Sequence, residues 1–308
     1  MKKVFIDGSA GTTGLRIHER LSARDDIVLT VLPEQLRKDS AARKNAINNS
    51  DVTFLCLPDD AAREAVSMVE NPDTVIIDTS TAHRTLDSFA YGFPELDKAL
   101  EEKIRNSKRI AVPGCHASGF IALVYPLVKA GILDADALLT CTSLTGYSGG
   151  GKSMIGEYSA DDRNKLLDSP RQYGIGQNHK HLKEMVAITG IDSAPVFCPI
   201  VADFYSGMEV TVPLFAKQIN GTLSDIEACY ATQYNSDIVK FEANVSENGF
   251  LASNILSGKD SMQITVHGNE ERILLVARYD NLGKGASGAA VECFNIVTGA
   301  DPSTGLVL

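Results

Sequence analysis

The chain reads as a two-part α/β protein: a doubly wound parallel sheet domain, then an α+β domain whose sheet is mostly antiparallel. Three observations predict this. Strands and helices alternate through the first hundred residues, and a glycine-rich turn joins the first strand to the first helix. Beyond residue 115 the pattern changes to β-branched strands with irregular connections.

Residues 3–7 form the first strand, and Gly8-Ser9-Ala10-Gly11-Thr12-Thr13-Gly14 opens a helix reaching about Ala23. The spacing G-x-x-G-x-x-G is a variant of the Rossmann dinucleotide fingerprint. Its glycines permit a tight turn, close approach of backbone to pyrophosphate and close helix–strand packing, with phosphates at the helix N-terminus. Strands at 27–32, 52–57 and 75–78 follow, with Pro58-Asp59 opening a helix over 60–69. Parallel strands bind ligands at their carboxyl ends, so Leu57, Pro58 and Ser80 are expected to flank a cofactor. After the second strand, Glu34 suits the ribose 2′-hydroxyl of NAD, whereas Arg37 and Lys38 suit a 2′-phosphate. These residues alone leave both cofactors open.

The second half predicts strands at 138–144, 196–201, 207–214, 238–245, 262–267 and 272–279. Thr222-Leu223-Ser224-Asp225 starts a helix running to about Tyr234. A last helical pattern over 287–297 is expected to pack on the first domain. The expected domains are therefore 1–114 plus 287–308 for the dinucleotide, and 115–286 for catalysis.

A length of 308 residues suits two domains with buried cores. The six cysteines are scattered with no C-x-x-C pair, which argues against a disulfide framework and a structural zinc site. A net charge of −10 argues against nucleic-acid and anionic-membrane partners, so anionic ligands require locally placed Arg, Lys or helix N-termini. The longest apolar run, around 120–133, is broken by Pro126, Lys129 and Gly131, and Met1-Lys2-Lys3 enters a strand directly. A cytoplasmic location is expected.

The chemistry concentrates at Pro113-Gly114-Cys115-His116-Ala117-Ser118-Gly119. A strand over 109–112 is broken by Pro-Gly and followed by an apolar helix over 117–127. A thiol at a helix N-terminus faces unpaired N–H groups and the positive end of the dipole, which favour its thiolate. Cys115 is thus the expected nucleophile, against the alternative of a buried structural cysteine. In Asn178-His179-Lys180-His181-Leu182-Lys183-Glu184, a His-x-His with a nearby Glu invites a metal reading. On a helix, residues two apart point to nearly opposite faces, so an acid/base role for one histidine is more economical. His181 has Glu184 three residues on, whereas His179 has no acidic neighbour at helical spacing. Arg84 and then Lys152 are the anion-clamp candidates. The Gly149-Gly150-Gly151 loop is either a backbone donor and phosphate cradle or a flexible hairpin tip.

Six blocks together resemble a known family: 8–14, 77–84, 91–96, 113–119, Thr145-Gly146-Tyr147-Ser148-Gly149-Gly150-Gly151-Lys152 and 279–288 with its Lys284-Gly285-Ala286-Ser287-Gly288. The chain resembles the N-acetyl-gamma-glutamyl-phosphate reductases, most closely their shorter type 2 branch. The resemblance implies an NADP-dependent phosphorylating semialdehyde dehydrogenase of arginine biosynthesis, related in fold to aspartate-semialdehyde dehydrogenase. It further implies a small acyl-phosphate substrate, no metal, and a homo-oligomer (dimer or tetramer). Cofactor contacts then fall to Gly8, Ser9, Gly11, Thr12, Thr13 and Gly14, to Arg37 and Lys38, to Leu57, Pro58 and Ser80, and to Gly149, Lys284 and Gly285. Substrate contacts fall to Arg84, Ser148, Lys152 and His179, and catalysis to Cys115, His181 and Glu184. The competing readings are an aspartate-semialdehyde dehydrogenase, a nicotinamide-binding redox sensor with a structural Cys115, and a metal-dependent hydrolase using His179, His181 and Glu184.

Overall fold

The computed structural model describes residues 1–308, which divide into two compact units. Unit one comprises Met1–Gly114 and Ala286–Leu306; unit two comprises Cys115–Gly285 and Val307–Leu308. No helix is long and apolar enough to cross a membrane.

Unit one is built on β1 (Lys2–Asp7), α1 (Thr12–Ser22), β2 (Ile27–Thr30), α2 (Ser40–Asn48), β3 (Val52–Leu55) and α3 (Asp59–Ser67). It continues through β4 (Val75–Asp78), β5 (Ala90–Tyr91), α4 (Lys98–Asn106) and β6 (Arg109–Ala111). All six strands are parallel, in the order β2-β1-β3-β4-β6-β5. β3 and β4 are buried at every position, as a sheet covered on both faces requires. On one face Val4, Ile6, Phe54 and Ile77 pack with Ile17, Leu21 and Ile104 from α1 and α4. On the other, Phe5, Leu55 and Ile76 pack with Ile47, Ala62 and Ala65 from α2 and α3. The strand order reverses at β1, so the crevice outside the carboxyl ends of β1 and β3 is the topological switch point.

Unit two contains α5 (Cys115–Lys129), β7 (Thr140–Gly146), α6 (Gly151–Ser159), β8 (Arg171–Gln172), α7 (His181–Thr189), β9 (Val196–Ala202) and β10 (Met208–Phe215). It closes with α8 (Leu223–Gln233), β11 (Val239–Phe241), β12 (Met262–Gly268) and β13 (Arg272–Tyr279). The sheet order is β11-β12-β13-β10-β7-β9-β8, parallel only at β7–β9 and β11–β12. One sheet face carries Cys141, Val210, Leu275 and Ala277 and is buried, with α5 packed on β10 and β13. The other alternates to Leu144, Ile200, Phe215 and Leu274, which are partly or fully exposed. α8 starts where the sequence predicts, with Thr222 and Asp225 forming a reciprocal capping box. Finally α9 (Gly288–Thr298) belongs to the core of unit one, through Ala289, Val291 and Phe294.

Two sequence expectations change. The strand expected over 238–245 stops at Phe241, because Asn244 takes a left-handed φ of +57° that a strand cannot continue through. The 149–151 segment is neither a hairpin tip nor an open loop: Tyr147–Gly150 is a 3-10 turn that runs directly into α6.

Candidate active site

In unit one the glycine turn fits a dinucleotide. Gly8 has φ +88°, and a Cβ there would lie 2.2 Å from the Cys56 carbonyl oxygen and 3.1 Å from Leu57. A Cβ on Gly14 would lie 2.5 Å from the Gly8 carbonyl oxygen. The turn therefore packs so closely on the end of β3 and on itself that only glycine fits at both positions. α1 begins at Thr12 with Gly11 as a cap that offers no side chain, and no acidic residue stands in its first turn. Its first amides are left to an anion, and the dipole favours one. Leu57 and Pro58 follow β3 at this crevice, Pro58 capping α3. Arg37 and Lys38 are exposed, just after a 3-10 turn over Glu34–Leu36.

Two expected ligand residues of unit one are also bonded within the protein. Arg84 is buried, its Nε donating to the Val112 carbonyl at 2.8 Å and its Nη2 to the Thr79 carbonyl at 2.9 Å. It ties the loops after β4 and β6 together. Ser80 donates its hydroxyl to Asp78 at 2.7 Å and accepts from the Ala82 N–H at 3.1 Å. It shapes this turn, aided by His83, whose Nδ1 lies 2.6 Å from Asp78 while its ring stacks on Phe89.

In unit two Cys115 is the first residue of α5 and is partly accessible. Tyr279, from the end of β13, fixes this position. Its hydroxyl donates to the Cys115 carbonyl and accepts from the Gly119 N–H at 3.0 Å, so it enters the first helical hydrogen bond of α5. A Cβ on Gly119 would lie 2.7 Å from that hydroxyl, and one on Gly285 would lie 3.2 Å from the Cys115 Cβ. Small residues at 119 and 285 are thus what let the thiol's backbone nest there. Nothing in the residue pattern around Tyr279 marks this role.

Around the thiol's helix lies a histidine cluster. His181 and Glu184 are both buried in the first turn of α7. His179 precedes the helix, and its Nδ1 accepts from the His181 N–H at 3.2 Å, capping α7. The expectation that the two imidazoles diverge on one helix is corrected: His179 is not on the helix, and the ring centroids are 4.7 Å apart. His116 joins them, 5.8 Å from the His179 ring and 5.7 Å from the His181 ring. Its Nδ1 lies 2.7 Å from Ser143 Oγ and its Nε2 2.6 Å from the Tyr173 hydroxyl. Burial, with the nearby His179, pushes its pKa down to about 3, so the imidazole is neutral. Burial also lowers the pKa of His179.

The remaining candidates stand on nearby elements of unit two. Buried Ser148 accepts from Asn281 Nδ2 at 3.0 Å, and Gly149 lies against the same amide. Lys152 is exposed in the first turn of α6. Lys284 is buried in a single π-helical turn over Gly283–Ser287, beside Gly285.

The chain is similar to known proteins over nearly its whole length. Residues 31–106 match the semialdehyde dehydrogenase NAD-binding domain, and residues 115–281 match the semialdehyde dehydrogenase dimerisation domain. The N-acetyl-gamma-glutamyl-phosphate reductase 2 of Nostoc sp. is 43% identical over 99% of both chains. The chain belongs to the N-acetyl-gamma-glutamyl-phosphate reductase family. The reductase 2 of Pseudomonas putida is 41% identical, over 96% of this chain and 97% of its own. Among solved structures, aspartate semialdehyde dehydrogenase II of Vibrio cholerae superposes with a TM-score of 0.73 at 16% identity, covering 97% of this chain and 98% of its own. At that identity the likeness shows the fold alone. It does show that this chain and that aspartate enzyme are built on one architecture.

Proposed function

We propose that the protein reduces N-acetyl-gamma-glutamyl phosphate to N-acetyl-glutamate 5-semialdehyde with NADPH, releasing phosphate through a thioester on Cys115. The observation that carries this reading is Cys115 at the first position of α5, anchored by Tyr279 and accompanied by His181 and Glu184. The full-length relatives carry the name of this activity.

The thiolate of Cys115 attacks the acyl carbon, the C–S bond forms, and the C–O bond to phosphate breaks with its electrons. NADPH, when bound, supplies the hydride that reduces the thioester carbonyl. The resulting oxyanion collapses to the aldehyde as the C–S bond returns its electrons to sulfur. The first-turn amides of α5 are the donors proposed for the charge that develops on oxygen. His181 takes the thiol proton before attack, with the Glu184 carboxyl in the same helical turn. The Gly8–Gly14 turn cradles the pyrophosphate, while Arg37 and Lys38 pair with the 2′-phosphate. Arg84, Lys152, His179 and the Ser148-Gly149 turn are the groups left for the substrate's anions.

The half-exposed sheet face with Leu144, Ile200, Phe215 and Leu274 supplies a surface for self-association, in the segment matching a dimerisation domain. A homodimer or a tetramer in the cytoplasm fits this reading.

Phosphate-dependent oxidation of N-acetylglutamate semialdehyde and of aspartate semialdehyde, each with NADP and NAD, tests the assignment. The expected result is turnover of the acetylated substrate with NADP in preference to NAD. Turnover of aspartate semialdehyde alone overturns it.

A further inference from the structure

His116 sits beside the nucleophile, yet its ring is fully engaged: Ser143 Oγ at Nδ1 and the Tyr173 hydroxyl at Nε2. A neutral imidazole has one donor and one acceptor, so the order of this chain is a question of tautomer. Ser143 decides it. Its side chain lies on the buried face of β7 with no solvent exposure, and His116 is the hydrogen-bond partner of its hydroxyl. If Nδ1 carried the proton, the Ser143 O–H would be buried without an acceptor, at a cost of about 1–3 kcal/mol. Ser143 therefore donates to Nδ1, and Nε2–H donates to the Tyr173 oxygen. That leaves the phenolic proton of half-buried Tyr173 directed away from His116.

We propose that Tyr173 is a further catalytic residue, a preorganised neutral donor to the sulfur and oxygen charges at Cys115, and that Ser143 and His116 are positioning residues that turn its proton toward them. The proposal rests on Cys115 being the nucleophile. Three features support it. His116 adjoins Cys115 in the chain, and its ring is packed among those of His179, His181 and Phe197, so it has little freedom to turn. Burial and the neighbouring Cys115 raise the pKa of Tyr173, so the phenol keeps its proton to donate. The groups facing His116 are Ser143, Tyr173, and the imidazoles of His179 and His181, the last of which carries the thiol proton when the thiolate forms. Lys180 is the charged residue that bears on His179.

The test reads Cys115 directly, by its rate of alkylation with iodoacetamide against pH in the full-length protein, following the Cys115 peptide by mass spectrometry. No substrate is needed, so its failure is separable from a wrong substrate assignment. Tyr173→Phe is expected to move the alkylation midpoint about one pH unit upward, because the thiolate loses a donor. It is also expected to lower kcat about a hundredfold with KM within about twofold. Ser143→Ala leaves Tyr173 in place but lets the proton move to Nδ1, so the phenol turns inward to donate to Nε2. The same upward shift is expected there, which a packing role for Ser143 does not produce. An unmoved profile in Tyr173→Phe overturns the catalytic role; a shift in Tyr173→Phe but not in Ser143→Ala overturns the directed chain. Should Ser143→Ala fail to fold, nitrogen-15 NMR of His116 in the wild-type chain decides the same point. A protonated Nε2 supports the proposal, and a protonated Nδ1 sinks it.

Discussion

At the scale of single residues, a weak nucleophile becomes useful through what its neighbours donate. Cys115→Ser is expected to lose turnover by several orders of magnitude while NADP binding, read by fluorescence titration, stays near normal, because a hydroxyl ionises far less readily than a thiol. Near-normal turnover in that variant rules out the thioester. The acid/base assignment separates in the same way. His181→Asn is expected to cost roughly a hundred- to ten-thousandfold in kcat. His179→Asn is expected to cost less, since His179 caps α7 through its Nδ1. Turnover measured against pH in both variants checks this, and a severe loss in His179→Asn alone reverses the roles. The thiol was legible in the sequence because a Pro-Gly break before an apolar run is a local signal. Tyr279, Ser143 and Tyr173 were not, since their hydroxyls acquire meaning only when distant strands and loops meet α5. The tie that Arg84 makes between two loops was hidden for the same reason: its backbone-carbonyl partners, Val112 and Thr79, meet it only in the fold.

Elements were legible where their patterns were strong. The strand over 272–279 and the start of α8 match the sequence reading, because alternation and a capping box are short-range signals. α2 was missed, since its sequence Ser40–Asn48 is polar and only weakly amphipathic. Yet α2 carries Arg43, whose buried guanidinium pairs with Asp7 at 3.0 Å and Glu64 at 2.9 Å. Asp7 ends β1, immediately before the glycine turn, so a polar helix of weak pattern fixes the start of that turn. Removing one partner of a buried pair leaves a charge without compensation. Arg43→Ala is expected to lower stability by about 3–5 kcal/mol, measured by urea denaturation. A loss below about 1 kcal/mol would show that Asp7 finds water or a proton at little cost. The cofactor contacts beyond the turn have their own test: replacing Arg37 and Lys38 together with Ala is expected to raise the KM for NADP far more than that for NAD. Equal changes show that neither reads the 2′-phosphate.

For the whole molecule, the change of pattern after residue 115 reflects a change of physical problem. A parallel sheet must be covered on both faces, so β3 and β4 are apolar throughout. The second sheet is buried on one face and alternates, which reads as separate strands but does not reveal their order; the neighbours β10 and β13 are far apart in sequence. The buried histidines of this second unit give the protein a pH dependence whose sign is fixed. The pKa of His116 falls from an ordinary 6.5 to about 3, and those of His179 and His267 are also lowered. An unfolded chain takes up these protons near pH 6.5, whereas the folded chain refuses the one on His116 until about pH 3. Their contribution to stability is therefore complete above pH 6.5 and declines as pH falls toward 3. Within that window a single group costs about 1.4 kcal/mol per pH unit. The lowered carboxyls of Asp203, Asp225 and Asp301 lose stability in the same direction at lower pH, while the raised Asp7 and Glu209 oppose it. His116→Gln removes the largest of the histidine contributions without adding a charge. Its urea midpoint is expected to fall less steeply than the wild type's between pH 7 and pH 5, whatever the difference at pH 7 itself. Parallel slopes for the two proteins would mean that the acid sensitivity arises outside the histidine cluster.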